Sequence, residues 1–116
     1  MSGTDPAGGS SRHRKRAAEL VAHEAAVFIS REAGTQSLIT VTRSEPEARG
    51  ERVAVYVSVF PAASALAALA FLERRREAFS DHLKEHTRLS PLPRVDFLLD
   101  TGERNRQRLD KLSKNP

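Results

Sequence analysis

Residues 37–60 decide the fold, and they read SLITVTRSEPEARGERVAVYVSVF. Side chains alternate between the two faces of an extended strand, so the four valines at alternate positions of 53–59 share one face. The upstream run 38–42 alternates in the same way. The charged segment 45–51 between the two runs contains a Pro and a Gly that suit a turn. The stretch therefore predicts a β-hairpin whose valine face must be covered by other parts of the chain.

A helical pattern lies on each side of this hairpin. Residues 17–29 carry apolar side chains at spacings of three and four, which predicts an amphipathic helix. Residues 62–78 consist almost entirely of strong helix formers and predict a second helix. Its buried face is expected to include Leu66, Leu69 and Ala70, continued by Phe71 and Leu72. Two such helices can cover the valine face of the hairpin.

A kink and a third strand are predicted after the second helix. Ser80 suits the cap of a new helical turn and Asp81 lies favourably near its N-terminus, so we expect the helix to kink near Ser80. Residues 94–100 alternate between apolar and polar side chains after a proline-rich break, which predicts a strand that reaches the sheet after a helical crossover. The fold class is therefore α+β, with a three-stranded sheet and its helices packed on one face.

Length and composition indicate one domain with polar ends. The chain has 116 residues, a formal net charge of +4 and no cysteine. This leaves room for one core and excludes a disulfide framework or a thiolate metal site. Residues 1–11 are predicted to be a disordered tail, 12–101 the folded domain, and 102–116 a basic C-terminal helix or tail. No apolar run is long enough to span a membrane and the first residues lack an apolar signal core, so we expect a cytoplasmic protein.

One motif favours an enzyme. His82 and His86 lie one helical turn apart in the pattern H-x-x-E-H, in which two histidines bind zinc and the Glu activates water. The alternative interpretation is a pair of solvated histidines on a charged helix, since the motif lacks an evident third ligand. The chain contains no nucleophile elbow, Walker loop or dinucleotide fingerprint. We therefore expect no catalysis and no cofactor, and we keep a zinc hydrolase as the less favoured alternative.

Basic residues form three clusters along the chain. Each cluster alone is typical of a solvated surface, but three around one small sheet favour a polyanionic partner, with nucleic acid first. Contacts of this kind go to phosphates and depend strongly on salt. The clusters are Arg12, Arg14, Lys15 and Arg16; Arg74, Arg75 and Arg76 with Lys84 and Arg88; and Arg104, Arg106, Arg108, Lys111 and Lys114.

The order helix, two strands, two helices, strand is that of the type II KH-like domain, and three segments resemble one family of that fold. Residues 39–43 read ITVTR, residues 52–59 read RVAVYVSV, and residues 88–100 read RLSPLPRVDFLLD. In order and spacing these segments resemble the first, second and third strands of bacterial ribosome-binding factor A. A basic segment leading into the first helix is similar as well.

The helix kink is where the sequence departs from that family, which uses an Ala-x-Gly motif. Counting forward from the second strand places the kink at 78–80, with Ser80 standing where Gly is expected. Counting back from residues 88–89 places it at 75–77 instead. The first placement is preferred, because Ser is physically reasonable at a kink.

The resemblance implies a non-catalytic assembly factor that binds the immature 30S small subunit and its 16S ribosomal RNA. It implies help in late maturation, including processing of the RNA's 5′ end, by a monomer without a small-molecule substrate. The expected RNA-binding residues are the members of the three clusters up to Arg108, together with Ser80 at the kink. A generic KH-like module that binds RNA or DNA stays open, as does a protein-interaction domain whose binding survives high salt.

Replacing Arg74, Arg75 and Arg76 together with Gln is expected to weaken binding to the small subunit, because three phosphate contacts are removed. The fold is expected to stay intact. Cosedimentation with purified small subunits measures the binding, and circular dichroism of the variant is the control. Unchanged binding by a folded variant would remove this segment from the binding site.

Overall fold

The elements follow the predicted order of helix, two strands, two helices and strand. The computed structural model describes residues 11–34 and 38–101. The order confirms an α+β fold of the KH-like type. The elements are α1 (Ser11–Glu32), β1 (Leu38–Glu47), β2 (Arg52–Phe60), α2 (Ala65–Arg74), α3 (Arg76–His86) and β3 (Arg94–Leu99).

β2 is the central strand of a three-stranded sheet in the order β1-β2-β3. It pairs antiparallel with β1, which places Leu38 opposite Phe60. It pairs parallel with β3, which places Arg52 opposite Arg94. A tight turn suffices for the antiparallel pair, whereas the parallel pair needs the crossover that α2 and α3 provide. β1 and β3 are therefore the edge strands.

The hairpin turn is shorter than the sequence predicts. β1 continues through Pro46 to Glu47, and only the 3-10 turn at Ala48–Gly50 and Glu51 separate it from β2. Proline is tolerated in β1 because an edge strand leaves one side of its backbone without a strand partner. All three turn residues have positive φ angles of 50°, 57° and 92°. Left-handed conformations of this kind match the twist of the strands that a tight turn joins.

The valine face of β2 is buried against all three helices. Val55 and Val57 have no exposed surface, and Phe79 of α3 is 1% exposed. The ring of Phe79 lies 5.3 Å from that of Phe28 and 5.8 Å from that of Phe97, measured between centroids. Full burial of a side chain of this kind stabilises the fold by roughly 1.5–3 kcal/mol. The remaining members of the core cluster are Ala18, Val21, Ala25, Ile29, Val53, Leu72, Leu83 and Val95.

α2 buries only part of the predicted face, together with Ala68, which was not predicted. Ala68 and Leu72 are buried, Leu69 is half-buried, and Leu66 is 80% exposed. Ala70 is exposed as well. Residues from the start of the helix to Leu72 are all apolar, so their periodicity selects no face. Packing against the sheet makes the selection instead.

The prediction of a kink near Ser80 is wrong, because the break in the long helix lies at Arg75. Arg75 has φ −97° and ψ 10°, and its N–H is shared by the carbonyl groups of Phe71 and Leu72 at 3.1 Å each. Ser80 is half-buried in the interior of α3. No side chain caps the helix that follows the break, so no capping signal marks it in the sequence. The alternative placement at 75–77 is the correct one.

The predicted tails 1–11 and 102–116 lie outside the described residues, apart from Ser11, with which α1 begins. Over 11–34 and 38–101, no helix combines the length and the apolar character that crossing a membrane requires.

Replacing the buried Phe79 with Ala is expected to lower the free energy of unfolding by about 3–5 kcal/mol, because the change opens a cavity in the aromatic part of the core. Urea denaturation measures the loss. The matched control is Phe60→Ala, since Phe60 is 73% exposed. That variant is expected to change stability by less than about 0.5 kcal/mol. Similar losses in the two variants would contradict the described core.

Candidate nucleic-acid interface

Basic side chains collect at the end of the sheet where β2 and β3 begin. Parallel pairing puts Arg52 beside Arg94, and both are exposed. Arg49 is exposed in the hairpin turn at the same end. The backbone N–H of Arg94 donates to the carbonyl of Glu51 at 2.9 Å, which joins the two strand starts. We call this region the basic end; its members are Arg12, Arg14, Lys15, Arg16, Arg49, Arg52, Arg88 and Arg94.

A cleft of about 720 Å³ opens at the basic end. It lies between the first turns of α1, the hairpin turn and the loop from α3 to β3. Arg14 and Arg88 both line it, so the fold brings together members of two predicted clusters that are far apart in the chain. We call it the α1 cleft; its lining residues are His13, Arg14, Ala17, Leu20, Gly50, Glu51, Val53, Arg88, Leu89, Ser90, Pro91, Leu92 and Pro93.

The loop that carries Arg88 is anchored on both sides. The hydroxyl of Thr87 donates to the carbonyl of Leu83 at 2.7 Å, and it accepts the N–H of Leu89 at 3.3 Å. Leu89 and Leu92 pack against the core. Arg88 itself is exposed between these anchors. The fold therefore holds an arginine at the mouth of the cleft on a well-supported backbone.

Three arginines of the basic end are not predicted from the sequence. Arg49, Arg52 and Arg94 stand singly in the chain, so none of them forms a cluster. Strand pairing brings Arg52 and Arg94 together, and the short turn places Arg49 nearby. A predicted parallel register of the second and third strands is the signal that could have identified this pair.

The three other predicted basic residues at the start of α1 lie exposed beside the cleft. Arg12, Lys15 and Arg16 are all exposed in the first turns of the helix. Arg14 is half-buried at the wall of the cleft. The first turns of α1 therefore present their positive charge to solvent beside the cleft and not to the core.

The three neighbouring arginines of the second predicted cluster, residues 74–76, lie at the opposite end of α1. Arg75 donates to the carboxylate of Glu32 at 2.6 Å, and its guanidinium lies 6.0 Å from the ring centroid of Phe28. Glu32 is the last residue of α1, whereas Arg14 lies in its first turns. A helix of 22 residues is about 33 Å long. Arginines 74–76 are therefore on a separate surface from the first cluster, whereas Arg88 lies at the cleft beside Arg14.

Arg76 is also engaged within the protein. It donates to the carboxylate of Asp96 in β3 at 3.1 Å and to that of Glu73 at 3.0 Å. Together with the pair between Arg75 and Glu32, these bonds tie the helix break to α1 and to β3. Arg74 is the exposed member of the three neighbouring arginines.

The remaining predicted contacts fall in three places. Lys84 is exposed in the last turn of α3, which leads towards Arg88. Ser80 does not mark a kink, so the shape-based reason for choosing it is lost. Arg104, Arg106 and Arg108 lie outside the described residues.

The two histidines of the H-x-x-E-H motif both make hydrogen bonds within the protein. His82 is 7% exposed, so it is not solvated. Its Nε2 donates to a carboxylate oxygen of Glu24 in α1 at 2.8 Å. His86 donates from Nδ1 to the carbonyl of His82 at 2.9 Å. The predicted pair of solvated histidines is therefore wrong for His82, which is buried because Phe28 and Phe79 surround its ring.

The same arrangement does not suit zinc. The rings of His82 and His86 stack with centroids 4.1 Å apart and planes 20° apart, so their in-plane lone pairs do not converge on one point. In the part of the chain that the structure describes, no group of three His, Cys, Asp or Glu side chains could hold a metal ion. The geometry gives the zinc hydrolase alternative no support.

Arg76→Gln is expected to lower the free energy of unfolding by about 1 kcal/mol, because the carboxylate of Asp96 loses a charged donor at a half-buried site. Arg74→Gln is the matched control and is expected to change stability by less than about 0.5 kcal/mol. Thermal or urea denaturation compares the two. Equal stabilities would mean that Arg76 does not hold the helix break to β3. Arg74→Gln is therefore a better variant for binding tests than the triple replacement, because it is expected to leave the stability of the fold nearly unchanged.

No protein-family model matches this sequence, and no curated protein matches it. The fold is similar to the crystal structure of ribosome-binding factor A from Thermus thermophilus, with a TM-score of 0.66 and 24% identical residues. The similarity covers 74% of this chain and 93% of that chain. At this level of identity the likeness is one of fold, and the chain has the KH-like fold of that ribosome-binding factor.

Proposed function

We propose that this chain is a non-catalytic ribosome assembly factor of the cytoplasm, which binds the immature 30S small subunit through its 16S ribosomal RNA. It assists late maturation, including processing of the 5′ end of that RNA, and it acts as a monomer without a cofactor or small-molecule substrate. The fold similarity to a ribosome-binding factor supports this proposal. The observation that carries it is the meeting of Arg14 and Arg88 at one cleft within the basic end.

The chemistry of the basic end suits structured RNA. Arginine and lysine contact phosphates irrespective of sequence, and the placement of several such contacts selects the shape of the backbone. The charges of the basic end are screened beyond about 8 Å at physiological ionic strength, so they favour a partner that docks closely. The carboxylates of Glu47 and Glu51 lie among them and limit where a phosphate can sit.

A binding factor of this kind acts by selecting one arrangement of the RNA. A protein that binds one conformation more tightly shifts the population towards it by its difference in affinity and by no more. Arg74 lies at the far end of α1 from Arg14, so the two surfaces can contact two separate RNA segments. Holding two segments at a set distance is a physical means of assisting maturation without catalysis.

A protein-interaction function is the second candidate, and one observation favours it. A groove of about 790 Å³ runs between α1 and β1, and its lining includes Leu38 and Phe60. These side chains are 65% and 73% exposed. Binding through such a surface is expected to persist at high salt, whereas binding through the basic end is not.

Cosedimentation with purified 30S subunits, immature and mature, and with whole ribosomes tests the proposal at low and high salt. We expect salt-sensitive binding to the free small subunit. Arg14→Gln and Arg88→Gln are each expected to reduce the slope of log affinity against log salt by about 0.7 to 0.9. Arg31→Gln is the matched control, because Arg31 is exposed in the last turn of α1 and far from the cleft.

Failure of a folded protein to bind either subunit preparation would overturn the assembly-factor proposal. Binding to isolated RNA of any source with the same affinity as to the small subunit would favour a generic KH-like module. Binding that resists high salt and both arginine replacements would favour the protein-interaction function.

A further inference from the structure

Part of the α1 cleft is lined by apolar side chains, and a ligand bound only through its phosphates would not contact them. Leu20 of α1 faces it and is 37% exposed, although it lies on a helix that otherwise buries its large apolar side chains. Pro91 and Pro93 line the opposite wall. Phosphates need only charge at a surface, whereas a nucleobase needs an apolar contact for its faces.

We propose that the α1 cleft binds the base of an unpaired RNA nucleotide, while Arg14 and Arg88 hold the phosphates on either side of it. This inference rests on the proposed RNA-binding function and adds the class of ligand. The charge of the lining is complementary to such a ligand, because two arginines border an apolar floor. Guanidinium planes also stack on bases, so either arginine can cover one face of the base.

The dimensions of the cleft agree with this ligand. Its volume of about 720 Å³ falls within the range of roughly 300–1,000 Å³ that is usual for sites of small organic ligands. The volume therefore leaves room for a base with its ribose. Extruding a paired base costs a few kcal/mol and an unpaired one costs less, so the cleft favours bulges, loops and single strands.

The charged side chains of the lining orient the bound nucleotide. Glu51 lies in the wall formed by the hairpin turn and repels phosphate, so the phosphates are expected on the side of Arg14 and Arg88. The backbone bond from Arg94 to Glu51 holds this wall, and Thr87 holds the loop that carries Arg88. A cleft whose walls are already in place loses little conformational entropy on binding.

Leu20→Trp provides a direct readout, since the chain contains no tryptophan. The probes are a short RNA duplex with one bulged nucleotide and the same duplex without the bulge. Stacking of the bulged base on the introduced indole is expected to quench its fluorescence, and the perfect duplex is expected to leave it unchanged. Leu66→Trp is the matched control, because Leu66 is 80% exposed on α2 and does not line the cleft.

Leu20→Ser tests the energetic contribution by fluorescence anisotropy with the same two labelled RNAs. We expect its affinity for the bulged duplex to fall about fivefold or more, because base stacking is lost. Its affinity for the perfect duplex is expected to change by less than about twofold, because phosphate contacts do not use this side chain. Leu20 lies outside the core cluster, so the variant is expected to fold, and a thermal melt checks this. If Leu20→Ser does not fold, the presence or absence of fluorescence quenching in the Leu20→Trp variant tests the inference instead.

The outcomes separate this inference from the function on which it rests. If Arg14→Gln and Arg88→Gln weaken binding of both RNAs but Leu20→Ser affects neither, the cleft binds phosphates only and the inference is overturned. If neither arginine replacement weakens binding to the small subunit, the proposed function fails. If Leu20→Ser weakens binding to the small subunit but not to the bulged RNA, a protein occupies the cleft and the inference is again overturned.

Discussion

The fold depends on the burial of one face of β2. This strand has a neighbour on each side, and its inner valines contact the helices that cover the sheet. Val55 and Val57 are fully buried, and the ring of Phe79 sits among Phe28 and Phe97 in the same core. Because the helices cover this face and both edge strands pair with β2, losing its burial would remove the surface on which the described elements are organised.

Paired polar groups then determine how the covering elements are oriented. His82 is buried among aromatic rings and donates to Glu24 at 2.8 Å, which links α3 to α1. The N–H of Asp100 donates to the carbonyl of Val57 at 2.8 Å, and its carboxylate accepts from the hydroxyl of Thr42. A buried polar group without a partner costs about 1–3 kcal/mol, so the bond between His82 and Glu24 disfavours arrangements in which it is broken.

The arginines of this small domain lie in two different settings. Arg75 and Arg76 pair with Glu32 and Asp96 and fasten the helix break to its neighbours. Arg14 and Arg88 line a cleft at the far end of α1, where we propose that they contact RNA phosphates. Proximity in sequence therefore does not define the binding surface.

The sequence by itself determined the strands, the first helix, the αββααβ order and hence the fold class. These features follow from local patterns, such as the period-two valines of 53–59 and the helical spacing of 17–29. The resemblance to a ribosome-binding factor also rests on such local segments. An extended or helical segment with one apolar face can be recognised without knowing what covers that face.

Tertiary structure alone decided the helix break, the face of α2, the burial of His82 and the shape of the α1 cleft. Each depends on partners that are distant in the chain: Arg75 meets Glu32 across 43 positions, and His82 meets Glu24 across 58. Parallel pairing of β2 and β3 brings isolated arginines to one end of the sheet. Local sequence patterns do not predict these contacts, because the contacts arise from the packing of whole elements.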